Sequence, residues 1–202
     1  MRYLIIILIL IVVGQKTYAD YEPTPLPQLI IDSDLILQGK IIRHDSTTFT
    51  LIISDLIKGD YTLHSIQIQK FEDWTCANRL PEYQTGQEEI IFLKANTKTN
   101  EWFTMGAANE GELLIQKDSI IYEDIYYDSK SGCKELDYFD FKICGWIYLL
   151  TDFKNGVSEY IRNFEQIETQ YMVDYSLPEM TRENSAYDRM IAETTTFLIF
   201  KE

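Results

Sequence analysis

Apolar and polar residues alternate along much of the first two thirds of the chain. Between Thr48 and Leu56, the side chains of Phe49, Leu51 and Ile53 fall on one face, with Thr and Ser side chains on the other. A period of two residues is typical of a strand with one buried face. Similar segments predict further strands over residues 34–43, 65–71, 88–94, 101–106, 111–116 and 120–127.

Two of these strands carry additional signals. The apolar run Ile90–Leu93 indicates a strand that is buried on both faces. Gly39 lies in the middle of its strand, where a glycine marks a bulge or a sharp bend. Five or more short strands joined by polar turns predict a small β-barrel or sandwich. Its expected core contains Leu35, Leu37, Ile41, Phe49, Leu51, Ile53, Ile66, Ile68, Ile91, Leu93 and Phe103.

The last third of the chain has a helical period after one more predicted strand over residues 139–150. Thr151 is placed to cap a helix over residues 152–168, and Ser176 begins a sequence with capping-box spacing ahead of a second helix. Both helices carry an apolar stripe, which predicts packing against the barrel more than a binding surface. The stripes comprise Phe153, Val157, Tyr160, Ile161, Phe164 and Ile167, then Tyr187, Met190, Ile191, Thr194 and Leu198.

The N-terminal residues have the order of a secretory signal peptide. Arg2 precedes the apolar run Leu4–Val13, and small residues at Thr17 and Ala19 form a cleavage site. Ten apolar residues are too few for a permanent membrane span, and no cysteine precedes Cys76 for lipid attachment. We therefore expect a secreted or periplasmic protein without a stable membrane span after cleavage. The predicted division is 1–19 signal peptide, 20–27 extended proline-rich segment, 28–127 barrel, and 128–202 strand and helical extension.

The composition limits the class of partner. The 202 residues include 18 basic and 32 acidic side chains, which gives a formal charge of −14. Nucleic acid is disfavoured, because its phosphates are bound mainly through clustered lysine and arginine. Hydrophobic residues make up 46% of the chain, enough to exclude a disordered protein.

Three cysteines raise the question of disulfides in an oxidising compartment. Cys133 and Cys144 are eleven positions apart, and a bridge between them would close one loop. Cys76 would then be a free thiol, either buried or paired with another molecule. The spacing of the cysteines and histidines favours no metal site, no glycine-rich phosphate loop occurs, and we expect no cofactor.

Candidate chemistry is sparse. A hydrolase would have to use His44 or His64 as its base, and the run His44-Asp45-Ser46 is more typical of a loop than of a catalytic group. The fourteen tyrosines are the unusual feature. Tyr122, Tyr126 and Tyr127 lie on or near one predicted strand and suit a contact surface for proteins or glycans, although strands also favour aromatic residues in general.

Four segments in order resemble the bacterial netrin-type OB-fold proteins, which are similar to tissue inhibitors of metalloproteinases. These are residues 34–42, the motif Leu56-Ile57-Lys58-Gly59, Cys76, and residues 86–93. The resemblance covers residues 28–106 and extends less securely to Tyr127. It implies a five-stranded Greek-key barrel with packed helices. Animal inhibitors of this kind bind the protease zinc through a mature N-terminal cysteine, whereas the predicted first residue here is Asp20.

The sequence therefore predicts an exported, non-catalytic binding module in a mainly β, OB-like barrel with added helices. Its partner would be an unidentified protein or glycan. A protease inhibitor and a hydrolase that uses His44 or His64 are the two alternatives.

Overall fold

The computed structural model describes Tyr21 and residues 23–74, 77–123, 134–138, 141–178 and 185–199; for 123, 134–138, 141–144, 196 and 199 it describes the backbone alone. Within these residues it has three helices and nine strands. The helices are α1 (Leu26–Asp32), α2 (Leu150–Asp174) and α3 (Ala186–Ile199). The strands are β1 (Leu35–His44), β2 (Thr48–Lys58), β3 (Ser65–Gln69), β4 (Glu88–Asn96), β5 (Glu101–Thr104), β6 (Glu112–Gln116), β7 (Ser119–Glu123), β8 (Lys134–Tyr138) and β9 (Phe141–Leu149).

The first five strands close into a barrel in the order β1-β2-β3-β5-β4-β1. Neighbouring strands are antiparallel except β3 and β5, which pair in parallel. The sheet continues beyond β4 through β6, β7, β9 and β8. This arrangement confirms the predicted OB-like Greek-key barrel with an added hairpin and C-terminal helices.

The barrel interior is filled by the side chains that the alternation assigned to it, with two differences. Nine of the expected residues form its buried core, and Ile53 packs against them half-buried. Phe103 was expected in the core, but that prediction is wrong, because its side chain is 37% exposed. Adjacent residues of a strand face opposite sides, and Phe103 lies opposite the exposed Lys94 while Trp102 turns inward. The nine are Leu35, Leu37, Ile41, Phe49, Leu51, Ile66, Ile68, Ile91 and Leu93.

A second core lies between the outside of the sheet and the three helices. Ile90 and Phe92 face this outer core while Ile91 and Leu93 face the barrel, so β4 is buried on both faces as predicted. The stripe of α2 packs here, together with α1 and α3. None of the described helices combines the length and apolar composition needed to cross a bilayer.

Gly39 and Gly156 allow close approaches between elements. The pairing of β1 with β2 shifts register at Gly39, which confirms the predicted bulge. A Cβ atom on Gly39 would lie 2.5 Å from the carbonyl oxygen of Ile52. A Cβ atom on Gly156 would lie 3.0 Å from the amide nitrogen of Tyr187, where α3 begins against α2.

Several predicted boundaries are wrong for local reasons. α1 begins at Leu26 inside the segment expected to be extended, because Pro27 occupies the first turn, where its missing N–H costs no hydrogen bond. The hydroxyl of Ser185, not Ser176, caps α3 by accepting a hydrogen bond from the amide of Asp188 at 3.1 Å. β8 was not predicted, and α2 begins and ends beyond its expected bounds.

Lys58 fastens α1 to the end of the barrel. Its ammonium group donates hydrogen bonds of 2.7 Å to the carbonyl oxygens of Ile30, Ile31 and Ser33. These carbonyls lie at the C-terminal end of α1, where a positive charge is favourable. Gly59 follows with φ of +90°, and a Cβ atom there would collide with the carbonyl oxygen of Asp34. The Lys58-Gly59 motif therefore has a structural role in this chain.

We expect Lys58→Met to lower the free energy of unfolding by about 1–3 kcal/mol, because three carbonyls at the C-terminal end of α1 and its cap lose a charged donor. Urea unfolding measures this difference. Lys40→Met is the matched control, since Lys40 is exposed and its ion pair is with Glu88 at the surface, and it should cost less than about 1 kcal/mol. Equal losses for both variants would contradict the role given to Lys58.

Candidate functional site

A cavity of about 630 Å³ opens at one mouth of the barrel. It lies where the β1–β2 turn, the end of β3 and the β3–β4 connection (residues 70–87) meet. We call it the mouth cavity. Its lining is polar and aromatic, and consists of His44, Ser46, Thr47, Gln69, Lys70, Phe71, Glu72, Asp73, Arg79, Glu82, Tyr83 and Phe103.

The base of the mouth cavity contains a buried ionic group, which we call the plug: Arg79, Tyr83, Glu89 and Glu112. The guanidinium group of Arg79 forms ion pairs with Glu89 and Glu112, whose side chains are fully buried. Glu89 shares a face of β4 with Ile91, and Glu112 lies opposite Ile91 on β6. The register between β4 and β6 therefore brings both carboxylates into contact with Arg79.

Tyr83 lies in the β3–β4 connection and contacts Arg79 and Glu112 of the plug. Its ring lies 3.8 Å from the centre of the Arg79 guanidinium, a stacked cation–π arrangement. Its hydroxyl donates to Glu112 Oε1 at 2.7 Å and accepts from the amide of Phe71 at 2.9 Å. Burial raises the pKa of the Tyr83 hydroxyl, which therefore stays a donor.

The plug holds two carboxyl groups against one guanidinium. Burial raises the pKa of Glu89, the nearby Glu112 carboxylate raises it further, and the attraction of Arg79 opposes both. Glu89 Oε2 makes no hydrogen bond within the described residues. A protonated Glu89 brings the plug to neutrality, which is the state that a fully buried group of charges favours.

The β1–β2 turn forms a second, rigid part of the lining. The Asp45 carboxylate accepts from the amides of Thr47 and Thr48, both at 2.8 Å, and these bonds lower the pKa of Asp45 to about 2. Lys70 reaches back to this turn and donates to the Asp45 carbonyl oxygen at 2.5 Å. Its Nζ atom also lies 3.3 Å from His44 Nδ1 and 4.9 Å from the centre of the Tyr83 ring.

The remaining lining residues offer charge and apolar contact to a ligand. Glu72, Asp73 and Glu82 are exposed, and Asp73 accepts from the backbone amide of Arg79 at 2.9 Å. Phe71 is half-buried and Phe103 is exposed. The cavity can therefore recognise a polar, charged ligand and cover its apolar parts.

The structure does not bring the predicted tyrosines to this site. Tyr122 is 2% exposed, and its hydroxyl donates to Glu193 at 3.0 Å within the outer core. The prediction of a Tyr122 contact surface is therefore wrong, because the residue faces the helices. Tyr126 and Tyr127 lie outside the described residues.

The cysteine predictions stay untested. Cys76, Cys133 and the side chain of Cys144 lie outside what the structure describes. The backbone of Trp74 pairs with that of Ala77 on either side of residues 75–76. Elsewhere in the described part of the chain, no group of three or more His, Cys, Asp or Glu side chains is arranged to hold a metal ion.

The two histidines lie in different settings. His64 is exposed and outside the mouth cavity, and its carbonyl oxygen accepts from the amide of Ile53. His44 lines the mouth cavity, and the group near its ring is the Lys70 ammonium. A hydrolytic site would instead need a hydroxyl, thiol or carboxylate at about 3 Å from a ring nitrogen.

Comparison with protein-family models and with curated proteins gives no match for this chain.

We expect Arg79→Met to lower the free energy of unfolding by about 3–5 kcal/mol, because it leaves two buried carboxyl groups without their cation. Chemical denaturation measures the loss. Arg43→Met is the control, since Arg43 is exposed and donates to the Thr50 hydroxyl at 3.3 Å. A loss below about 1 kcal/mol for Arg79→Met would show that the plug is not a fixed part of the fold.

We expect the unfolding free energy to decrease between pH 5 and pH 9, and Glu89→Gln to make that decrease smaller. In the folded protein the pKa of Glu89 is raised above the ordinary value of 4.5. Its contribution to the free energy of unfolding is therefore fully present below pH 4.5 and is lost as the pH rises through the folded pKa. The loss reaches about 1.4 kcal/mol per pH unit for one group.

Denaturation at a series of pH values tests this prediction. Glu110 and Glu193 also have raised pKa values through burial, so Glu89→Gln should reduce the slope without abolishing it. Glu88→Gln, on the exposed neighbouring residue, should leave the slope unchanged. Identical slopes for the protein and Glu89→Gln would contradict a protonated Glu89.

Proposed function

We propose that the protein is an exported, non-catalytic binding module that takes its ligand in the mouth cavity. The observation that carries this proposal is the plug beneath the cavity. Arg79 and Tyr83 both line the cavity, and both are fixed by the buried carboxylate of Glu112 on β6. A cavity with a fixed base loses little entropy when a ligand binds.

The position of the cavity in the fold also supports binding. OB-type barrels bind ligands on the face of strands two and three and on the adjoining loops. The mouth cavity uses the β1–β2 turn and the end of β3. Three exposed carboxylates in the lining and a chain charge of −14 disfavour nucleic acid as the ligand. A protein segment or a glycan remains as the partner.

The geometry favours binding over the two alternative functions. The ammonium of Lys70 sits where a hydrolytic His44 would need a nucleophile or an orienting acid. Protease inhibition of the netrin-like kind would depend on the N-terminal residue Asp20, whose carboxylate is a weaker zinc ligand than a cysteine thiolate. Asp20 lies outside the described residues.

Nuclear magnetic resonance titration of the ¹⁵N-labelled protein tests the proposal. The probes are a pool of random tetrapeptides and, separately, a pool of neutral oligosaccharides. We expect one pool to shift the amide signals of Lys70, Phe71 and Phe103. Ile147 and Leu149, exposed on the added sheet, should not respond.

Phe103→Ala is the matching variant, because Phe103 is exposed in the cavity and its loss leaves the barrel core intact. It should weaken binding several-fold, whereas Ile52→Ala, on the exposed outside of β2, should have no effect. Mass spectrometry should recover the probes unchanged. Cleaved probes would favour the hydrolase, and shifts confined to other surfaces would overturn the proposal.

A further inference from the structure

Opposite charges line the mouth cavity without pairing with each other. Lys70 forms no ion pair within the part of the chain that the structure describes, although Glu72, Asp73 and Glu82 line the same cavity. Among the other described lysines, Lys40, Lys94 and Lys154 each pair with a carboxylate, and Lys58 binds backbone carbonyl oxygens. The lining of the mouth cavity therefore contains the Lys70 ammonium and three carboxylates that form no ion pair with it.

The Lys70 side of the cavity is suited to an anionic group. Its ammonium group has three N–H donors, of which one bonds to the Asp45 carbonyl and one points to His44 Nδ1. The third donor is left for a ligand. A charged N–H donor suits a carboxylate.

Two carboxylates of the lining are suited to a cationic group. The carboxylates of Glu72 and Glu82 are exposed and have no cationic partner among the described residues. Arg79 does not neutralise them, because its guanidinium is committed to Glu89 and Glu112. Phe71 and Phe103 add aromatic surface for the apolar stem of a lysine or arginine.

We infer that the mouth cavity binds a short peptide that carries both a carboxylate, held by Lys70, and a basic side chain, held by Glu72 and Glu82. This inference rests on the proposed function and names its ligand. The volume of about 630 Å³ falls within the range of about 300–1,000 Å³ found for sites that enclose small ligands. A peptide of a few residues fits such a site, and its carboxylate comes from the chain terminus or from an acidic side chain.

Isothermal titration calorimetry with matched peptides tests the inference. The reference probe is acetyl-Ala-Ala-Lys with a free carboxylate. Its C-terminal amide lacks the anion, and acetyl-Ala-Ala-norleucine lacks the cation. We expect each change to weaken binding about tenfold, the effect of one charge-assisted contact. Acetyl-Asp-Ala-Lys-amide should recover the affinity if an acidic side chain supplies the carboxylate.

Two variants assign the two charges to their residues. Lys70→Met should abolish the difference between the acid and the amide, and should keep the preference for lysine over norleucine. The double variant Glu72→Gln/Glu82→Gln should do the reverse. Lys70→Arg keeps the charge and should keep the preference for the acid, which separates charge recognition from damage to the β1–β2 turn.

The outcomes distinguish this inference from the proposed function. If the pooled tetrapeptides or oligosaccharides shift the cavity signals but the acid, the amide and the norleucine peptide bind equally, the inference is wrong and the binding module stands. Free lysine that binds as tightly as the peptide would overturn a peptide ligand. Absence of any cavity shift with every probe would overturn both.

Discussion

The guanidinium group of Arg79, held between two fully buried carboxyl groups, is the interaction on which the mouth of the barrel depends. Burial of one charge is costly, and burial of three is tolerated only when each is paired or neutralised. Arg79 satisfies Glu89 on β4 and Glu112 on β6, and its own backbone binds Asp73. One side chain therefore fixes the β3–β4 connection, which lines the candidate site, to β4 and β6.

The rest of the fold supports this arrangement from the outside. β4 faces the barrel core on one side and the three helices on the other, so the strand that carries Glu89 is packed on both faces. Lys58 binds the last carbonyls of α1 and fixes that helix to the barrel. Interactions of this kind make the base of a site rigid, so that conformational changes on ligand binding are confined to the exposed residues at its rim.

The barrel could be predicted from the sequence because alternation records burial directly. The period alone is sufficient to place Phe49 and Leu51 in the core. Alternation does not show which of two adjacent aromatic residues faces the core, as at Trp102 and Phe103, because either assignment gives the strand one buried ring. The error mattered, because Phe103 belongs to the candidate site and not to the core.

The plug could not be predicted in the same way. Arg79 lies in a polar stretch without periodicity, and its partners come from strands 10 and 33 residues later. A signal for one partner was present, since Glu89 shares the phase of the buried Ile91 and Leu93. A charged residue at a buried position of a strand needs a partner of opposite charge, but the sequence does not identify which of several basic residues is that partner.

Amide hydrogen exchange in the Arg79→Lys variant tests most directly whether Arg79 holds the mouth in shape. Lysine keeps the charge but lacks the planar fork that bridges two carboxylates and stacks on Tyr83. The amides of Phe71, Leu80 and Gly86, each bonded in the β3–β4 connection, should exchange at least about tenfold faster, while those of β1 and β4 keep their protection. Unchanged exchange of the connection amides in Arg79→Lys would contradict the account.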